Sequence, residues 1–220
     1  PTIPSTIPST NPSRIRYAIL ALATANAFVL YLDRVCMSAV VQSLSFQQEM
    51  GLDKDRIGDV LAAFFFAYAL GQIPAGRLAD RFGPRRMLVI YIVLWSMCTA
   101  LTGFVWGLLG LIVVRSACGL AEAGAYPASG LLISRWFPFA QRARASSVVA
   151  FGGRIGNSLA LWLTAGAIAL LGSWRPVLWI YGALGLLLAL ATQFLLRDHP
   201  AEHPWANAAE KQMLLDPNQL

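Results

Sequence analysis

Gly76-Arg77-Leu78-Ala79-Asp80-Arg81-Phe82-Gly83-Pro84-Arg85-Arg86 sets four basic residues and one carboxylate within eleven positions, with a long apolar run on either side. A cluster this polar between such runs has to lie in water, so it marks a tight connection at a membrane surface. Composition agrees. The chain of 220 residues is 57% hydrophobic and only 13% charged, and its mean hydropathy is +0.57. A soluble domain carries about twice that charge. The net charge of +6 does not point to nucleic acid. Its basic residues are scattered over short connections, with no basic helix or aromatic-interleaved stripe to enter a groove.

Working outward from the loop, the apolar runs resolve into six spans at about 17–44, 57–78, 87–106, 109–133, 144–171 and 175–196. Each has the ~20 residues needed to cross a ~30 Å hydrocarbon core. In lipid such runs must be helices, because lone strands would leave backbone groups unpaired. The expected fold class is therefore an all-α membrane protein of six transmembrane helices in a lipid bilayer. Residues 1–16 form a disordered tail in this reading, since the tract PTIPSTIPSTNPS cannot bury apolar surface. Residues 17–196 form the bundle, and 197–220 begin a polar linker. Arg14 and Arg16 ahead of an apolar run resemble a signal peptide, but apolar residues continue too far for one. With the N-terminus inside, eleven basic residues fall in inside segments and three (Lys54, Arg56, Arg175) in outside loops. The positive-inside rule then puts both termini in the cytoplasm. Trp106, Trp136 and Trp174 at span ends read as interfacial anchors.

Five ionisable residues lie within the spans: Asp33, Arg34, Arg115, Glu122 and Arg154. Facing lipid, they would together cost about 12–17 kcal/mol. They are expected to face one another or a wet cavity. Arg115 and Glu122, seven apart, share one face of the fourth span, with the small residues Cys118 and Gly119 between them. Pro127 beyond them should kink that helix. Three arginines against two acids favour an anionic ligand, and the guanidinium fork suits a carboxylate. Glu122 has the attributes of a proton carrier, because movement of a neighbouring arginine changes which protonation state is favoured. Gly103-x-x-x-Gly107, Gly152-x-x-x-Gly156 and Gly182-x-x-Gly185 read as close helix contacts. The cysteines Cys36, Cys98 and Cys118 have no metal or redox spacing, and His199 and His203 lie beyond the last span. No metal, cofactor or enzymatic constellation is expected.

The pattern G-x-L-x-D-R-x-G-x-R-R at residues 76–86 resembles the signature loop of major facilitator superfamily transporters. Three further stretches are similar to the anion:cation symporter branch: Tyr31-Leu32-Asp33-Arg34, residues 66–76, and Arg115-x-x-x-Gly119-x-x-Glu122-Ala123-x-x-x-Pro127. Arg135-Trp136-Phe137-Pro138, Trp174-Arg175 and the tail with His203, Pro204 and Glu210 continue the likeness. The resemblance implies a 3+3 inverted repeat, one half of a twelve-helix carrier whose C-terminal six-helix half is missing here. It implies proton-coupled uptake of a small anionic substrate, such as a sugar acid, across a bacterial inner membrane. A drug/proton antiporter of the same superfamily is the alternative, and a scaffold or intramembrane enzyme is a more distant one.

Carried over by that resemblance, Asp33 and Glu122 relay H+, with Arg115 in the same charge network. Arg34 and Tyr68, with Tyr31 of the same motif, contact the substrate. Gly76, Asp80, Arg81, Gly83, Arg85 and Arg86 become a conformational latch, in which Asp80 approaches a helix N-terminus. Two departures stand out. Arg154 lies near where galactonate-type carriers have Gln and would meet a second anionic group or an acid. Gln141 replaces a common Glu after the Trp-Phe-Pro segment.

Overall fold

The computed structural model describes residues 11–215, so the tract through residue 10 and the last five residues lie outside the description. The helices are α1 (Ile15–Val40), α2 (Leu44–Met50), α3 (Lys54–Phe82), α4 (Pro84–Thr102), α5 (Leu108–Glu122), α6 (Ala125–Trp136), α7 (Phe139–Leu171), α8 (Trp174–Leu195) and α9 (Ala208–Leu215). Six spans long and apolar enough to cross a membrane are present among the described residues: α1, α3, α4, α5–α6 together, α7 and α8. The chain is an integral membrane protein.

The packing carries a symmetry that residue-by-residue comparison of the two sequence triplets does not show. The most extensive contacts are α1 on α7, α4 on α8 and α3 on α5. In span order these are one with five, three with six and two with four. Exchanging the first triplet for the second maps this set of pairs onto itself, as an inverted repeat requires. Glycines seat each pair. A Cβ at Gly156 would run into the backbone carbonyl of Phe28, one at Gly119 into that of Phe64, and one at Gly182 into Ala100 and the Ser96 carbonyl. These clashes are with backbone, which cannot swing aside. Gly156→Val is therefore expected to lose about 2–3 kcal/mol of stability, read as a lower midpoint of thermal unfolding in detergent. Gly166→Ala, where nothing lies within 4 Å of the added Cβ, should not lower it.

Several boundaries differ from the sequence reading for local reasons. The first span stops at Val40, and the separate helix α2 follows, its start capped by Ser43 Oγ accepting from Phe46 N. Asp53 caps α3 in the same way (2.9 Å to Arg56 N), so Lys54 and Arg56 sit in its first turn instead of a loop. The fourth span breaks between Glu122 and Ala125, ahead of Pro127. At the break the Tyr91 ring occupies the space a Gly124 side chain would take, and the Tyr91 hydroxyl donates to the Ala75 carbonyl at 2.7 Å. Gly107 makes no helix contact; its φ of +87° turns the chain into α5, while Gly103 is the residue that packs, on Trp179.

Two of the three supposed interfacial tryptophans are interior. Trp136 and Trp174 are fully buried, whereas Trp106 is 70% exposed. Trp136 Nε1 donates to the Arg197 carbonyl at 3.0 Å. Trp174 Nε1 donates to Glu49 at 2.7 Å, and the same Glu49 accepts from Arg175 Nε at 2.8 Å. Arg175 also reaches the Gly103 carbonyl and stacks on Trp106 and Trp174. Far from dangling in a loop, it ties α2, the α4–α5 turn and α8 together. At the other end, residues 11–16 are held by the segment after the last span. Ser13 and Asn207 exchange hydrogen bonds, and the fully buried Glu210 accepts from Ser13 and from Arg16 N. His203 is buried between Trp136 and Trp205. Both segments therefore lie at the end of the bundle that bears the Gly76–Arg86 loop.

Candidate functional site

Halfway along the bundle, the ionisable residues of α1 and α5 meet. Arg34 Nε donates to Glu122 Oε2 at 2.9 Å. Cys118 lies between the other two groups, its Sγ 4.0 Å from Arg115 Nη1 and 3.7 Å from Glu122 Oε1. Asp33 is fully buried beside this cluster, and neither of its carboxylate oxygens has a hydrogen-bond partner. Helix geometry explains the convergence. On α5, Arg115, Cys118 and Glu122 follow one another at intervals of three and four and share a stripe. On α1, Asp33 and Arg34 lie about 100° apart, so the acid turns into the bundle while the guanidinium reaches its surface.

Aromatic rings box the arginines. Arg34 Cζ lies 4.4 Å from the Tyr68 ring centroid, 5.1 Å from that of Tyr31 and 5.6 Å from that of Phe64. Arg115 Cζ lies 4.6 Å from the same Phe64 ring, which thus separates the two guanidiniums. Ring faces hold a cation without neutralising it. Tyr31 and Tyr126 meet edge to face at 6.2 Å, and a Cβ at Gly153 would press on both, at 2.8 and 2.9 Å. Arg34 Nη2 is buried without a partner.

Tyr31, Asp33, Arg34, Tyr68, Arg115 and Glu122 are thus brought together. Asp33, Arg115 and Glu122 are packed inside the bundle and do not line an open chamber; Arg34 and the half-buried tyrosines form its surface. Arg154 stands apart. It is exposed midway along α7, and among the described residues it has no hydrogen-bond or ion-pair partner. Phe64 and Tyr126 were missed in the sequence. Their spacing offers a signal, since Phe64 is one helical turn before Tyr68 and Tyr126 one after Glu122. Gly119 was read as room for a substrate or a helix; the helix α3 takes it.

The Gly76–Arg86 loop turns at Gly83, whose φ of +88° suits glycine, and Pro84 opens α4. Asp80 is exposed, and α4's first turn is instead capped by Asp198, which accepts from Arg85 N at 2.8 Å and lies 3.8 Å from Arg135. Arg85 also donates to the Gln193 carbonyl. Asp198 was not singled out in the sequence, because an acid 113 residues away gives no local sign of capping this helix. Asp198→Ala should cost about 1 kcal/mol through the lost cap, measured by thermal unfolding. Asp198→Asn, which can still accept from Arg85 N, should lose less.

Comparison with known proteins agrees with this arrangement. The sequence model of the Major Facilitator Superfamily matches residues 23–218. The protein named "Probable sulfoacetate transporter SauU" of Cupriavidus necator is 33% identical over 199 residues, covering 90% of this chain and 46% of that protein. The "Probable L-galactonate transporter" of Escherichia coli is 32% identical, with 94% and 44% covered. The chain spans about half the length of the curated relatives it matches. Among solved structures, an inward-facing bacterial homologue of the lysosomal transporter Spinster superposes with a TM-score of 0.75 at 24% identity, over 86% of this chain and 45% of that one. The inward-open xylose transporter XylE of Escherichia coli gives 0.68 at 18%, with 84% and 49% covered. Those two likenesses concern the fold alone. With a family model matched over most of its length and relatives named as transporters, not enzymes, the chain belongs to the Major Facilitator Superfamily.

Proposed function

We propose that this chain forms one half of a proton-coupled symporter for small organic anions and works by alternating access with a second six-helix half. The observation that carries the reading is the Arg34–Glu122 ion pair, with Arg115 reached from Glu122 through Cys118 and Asp33 buried next to Arg34 on α1. The relatives named for sulfoacetate, L-galactonate and galactarate/D-glucarate transport support an anion as substrate.

In this mechanism Glu122 holds Arg34 while it is ionised. A proton on Glu122 removes that hold, and the released guanidinium offers its forked donors to a substrate carboxylate. Tyr68 and Tyr31 flank it and offer hydroxyls to a polyhydroxylated acid. Asp33, the buried acid beside Arg34 on α1, relays that proton, and Arg115 belongs to the same network through Cys118. Loss of the proton restores the Arg34–Glu122 pair and expels the anion, so proton and anion move in the same direction. Arg77, Arg81, Arg85, Arg86 and Asp80 lie on the cytoplasmic side, with both termini, in a bacterial inner membrane. Asp80, exposed here, meets the second half as a latch.

The test is uptake of labelled sulfoacetate, galactonate and glucarate into proteoliposomes holding this chain with its second half. At least one should accumulate only when the vesicle interior is alkaline relative to the outside. Accumulation of a lipophilic cation in exchange for protons, with none of the anions taken up, would replace this reading with the antiporter one.

A further inference from the structure

Resting on that reading of the site, we infer that the transported anion carries two negative groups, one met by Arg34 and the other by Arg154. The charge balance leads there. Arg34 is offset by Glu122, its ion-pair partner at 2.9 Å. Arg154 has no such offset among the described residues, and it stands at the middle of a membrane-length helix, where an unpaired guanidinium against lipid is costly. It needs a negative partner, and the position of α7 says where that partner lies.

Successive residues of α7 turn by about 100°. Gly152 faces Thr24 and Gly153 faces the Tyr31 ring edge and the Tyr126 hydroxyl. The next step in the same sense is Arg154, on the exposed side. Arg34 lies over the face of that same Tyr31 ring. A single tyrosine therefore separates the Arg34 guanidinium from the helix turn that bears Arg154.

Protonation completes the match. The groups facing Arg34 and Glu122 are Asp33 and Tyr31 on α1, Tyr68 on α3, Arg115 and Cys118 on α5, and Tyr126 on α6. Asp33 and Arg115 are buried, and neither forms an ion pair with Arg34 or Glu122. When Glu122 takes a proton, Arg34 joins Arg154 as a second unpaired guanidinium. The surface then presents two positive charges, which a dianion neutralises and a monoanion does not.

The experiment uses matched acids that differ in one anionic group, D-glucarate against D-gluconate and malonate against acetate, in proteoliposomes with both halves present. The dianion of at least one pair should be taken up about tenfold faster than its partner, a ratio set by one charge-assisted contact. Arg154→Gln should abolish that preference by lowering uptake of the dianion far more than uptake of the monoanion. Arg154→Lys should keep part of it, which separates lost charge from lost folding. Equal uptake of both members of each pair, or an equal loss of both in Arg154→Gln, overturns the dianion and leaves symport standing. Failure of the unsubstituted carrier to take up any anion overturns the symport reading itself.

Discussion

Arg34→Ala is expected to lower anion uptake by at least about a hundredfold, the consequence of losing a charged contact of about 3–5 kcal/mol in a desolvated setting. Two losses combine. The substrate carboxylate loses its forked donor, and Glu122, fully buried, loses its ion-pair partner at 2.9 Å. An unpaired buried carboxylate is costly, so Glu122 no longer alternates between holding and releasing an arginine. Arg34→Lys separates the two effects. Lysine restores a positive charge near Glu122 but offers a point charge in place of the planar fork. It should recover proper folding and a fraction of the uptake, with a raised KM. The aromatic box sharpens the expectation, because Tyr68, Tyr31 and Phe64 are fitted around a flat guanidinium and leave an ammonium poorly held. The measurement is initial-rate uptake of the labelled anion across a range of concentrations.

The second large effect belongs to Glu122. Glu122→Gln keeps the shape of the side chain and mimics its protonated form permanently. Arg34 is then never held back, so substrate still binds and exchange of labelled for unlabelled anion across the membrane should persist. Net accumulation driven by a pH gradient should vanish, because the site no longer alternates between a proton-bearing and a proton-free state. The sign of the pH dependence follows. In the unsubstituted carrier, uptake rises as the outer medium is acidified, since protonation of Glu122 is what frees Arg34. In Glu122→Gln, exchange should be flat with pH over the same range. Loss of exchange together with accumulation would instead mean that Glu122 is needed to build the site.

The sequence carried the fold at the level of spans and loops. Runs of about 20 apolar residues separated by charged turns leave few options in a bilayer, and the Gly76–Arg86 loop fixed where one turn lies. It also pointed to the charge cluster, because ionisable residues inside spans are expected to find each other, although Arg154 stays apart from the other four. What it could not carry was anything set by distant contact. Trp136 and Trp174 look like interfacial anchors by position, yet each is buried with its indole nitrogen donating to a residue far along the chain. Asp198 and Glu49 read as ordinary polar residues, and both hold helix ends together across more than 100 positions. The repeat was equally hidden, since pairing of one with five and two with four is a property of packing and not of matching residues. Arg154 is the reverse case: sequence alone marked it as a membrane arginine, and of the five it is the one left exposed.

The account rests on one device, a buried carboxylate that trades its grip on an arginine for a proton. The most direct test follows both ions at once, with a pH-sensitive dye sealed inside proteoliposomes that hold this chain with its second half. Addition of the anion outside should acidify the interior in step with anion entry, and Glu122→Gln should abolish the acidification while exchange continues. Anion entry without any proton movement, or acidification unchanged in Glu122→Gln, would contradict it.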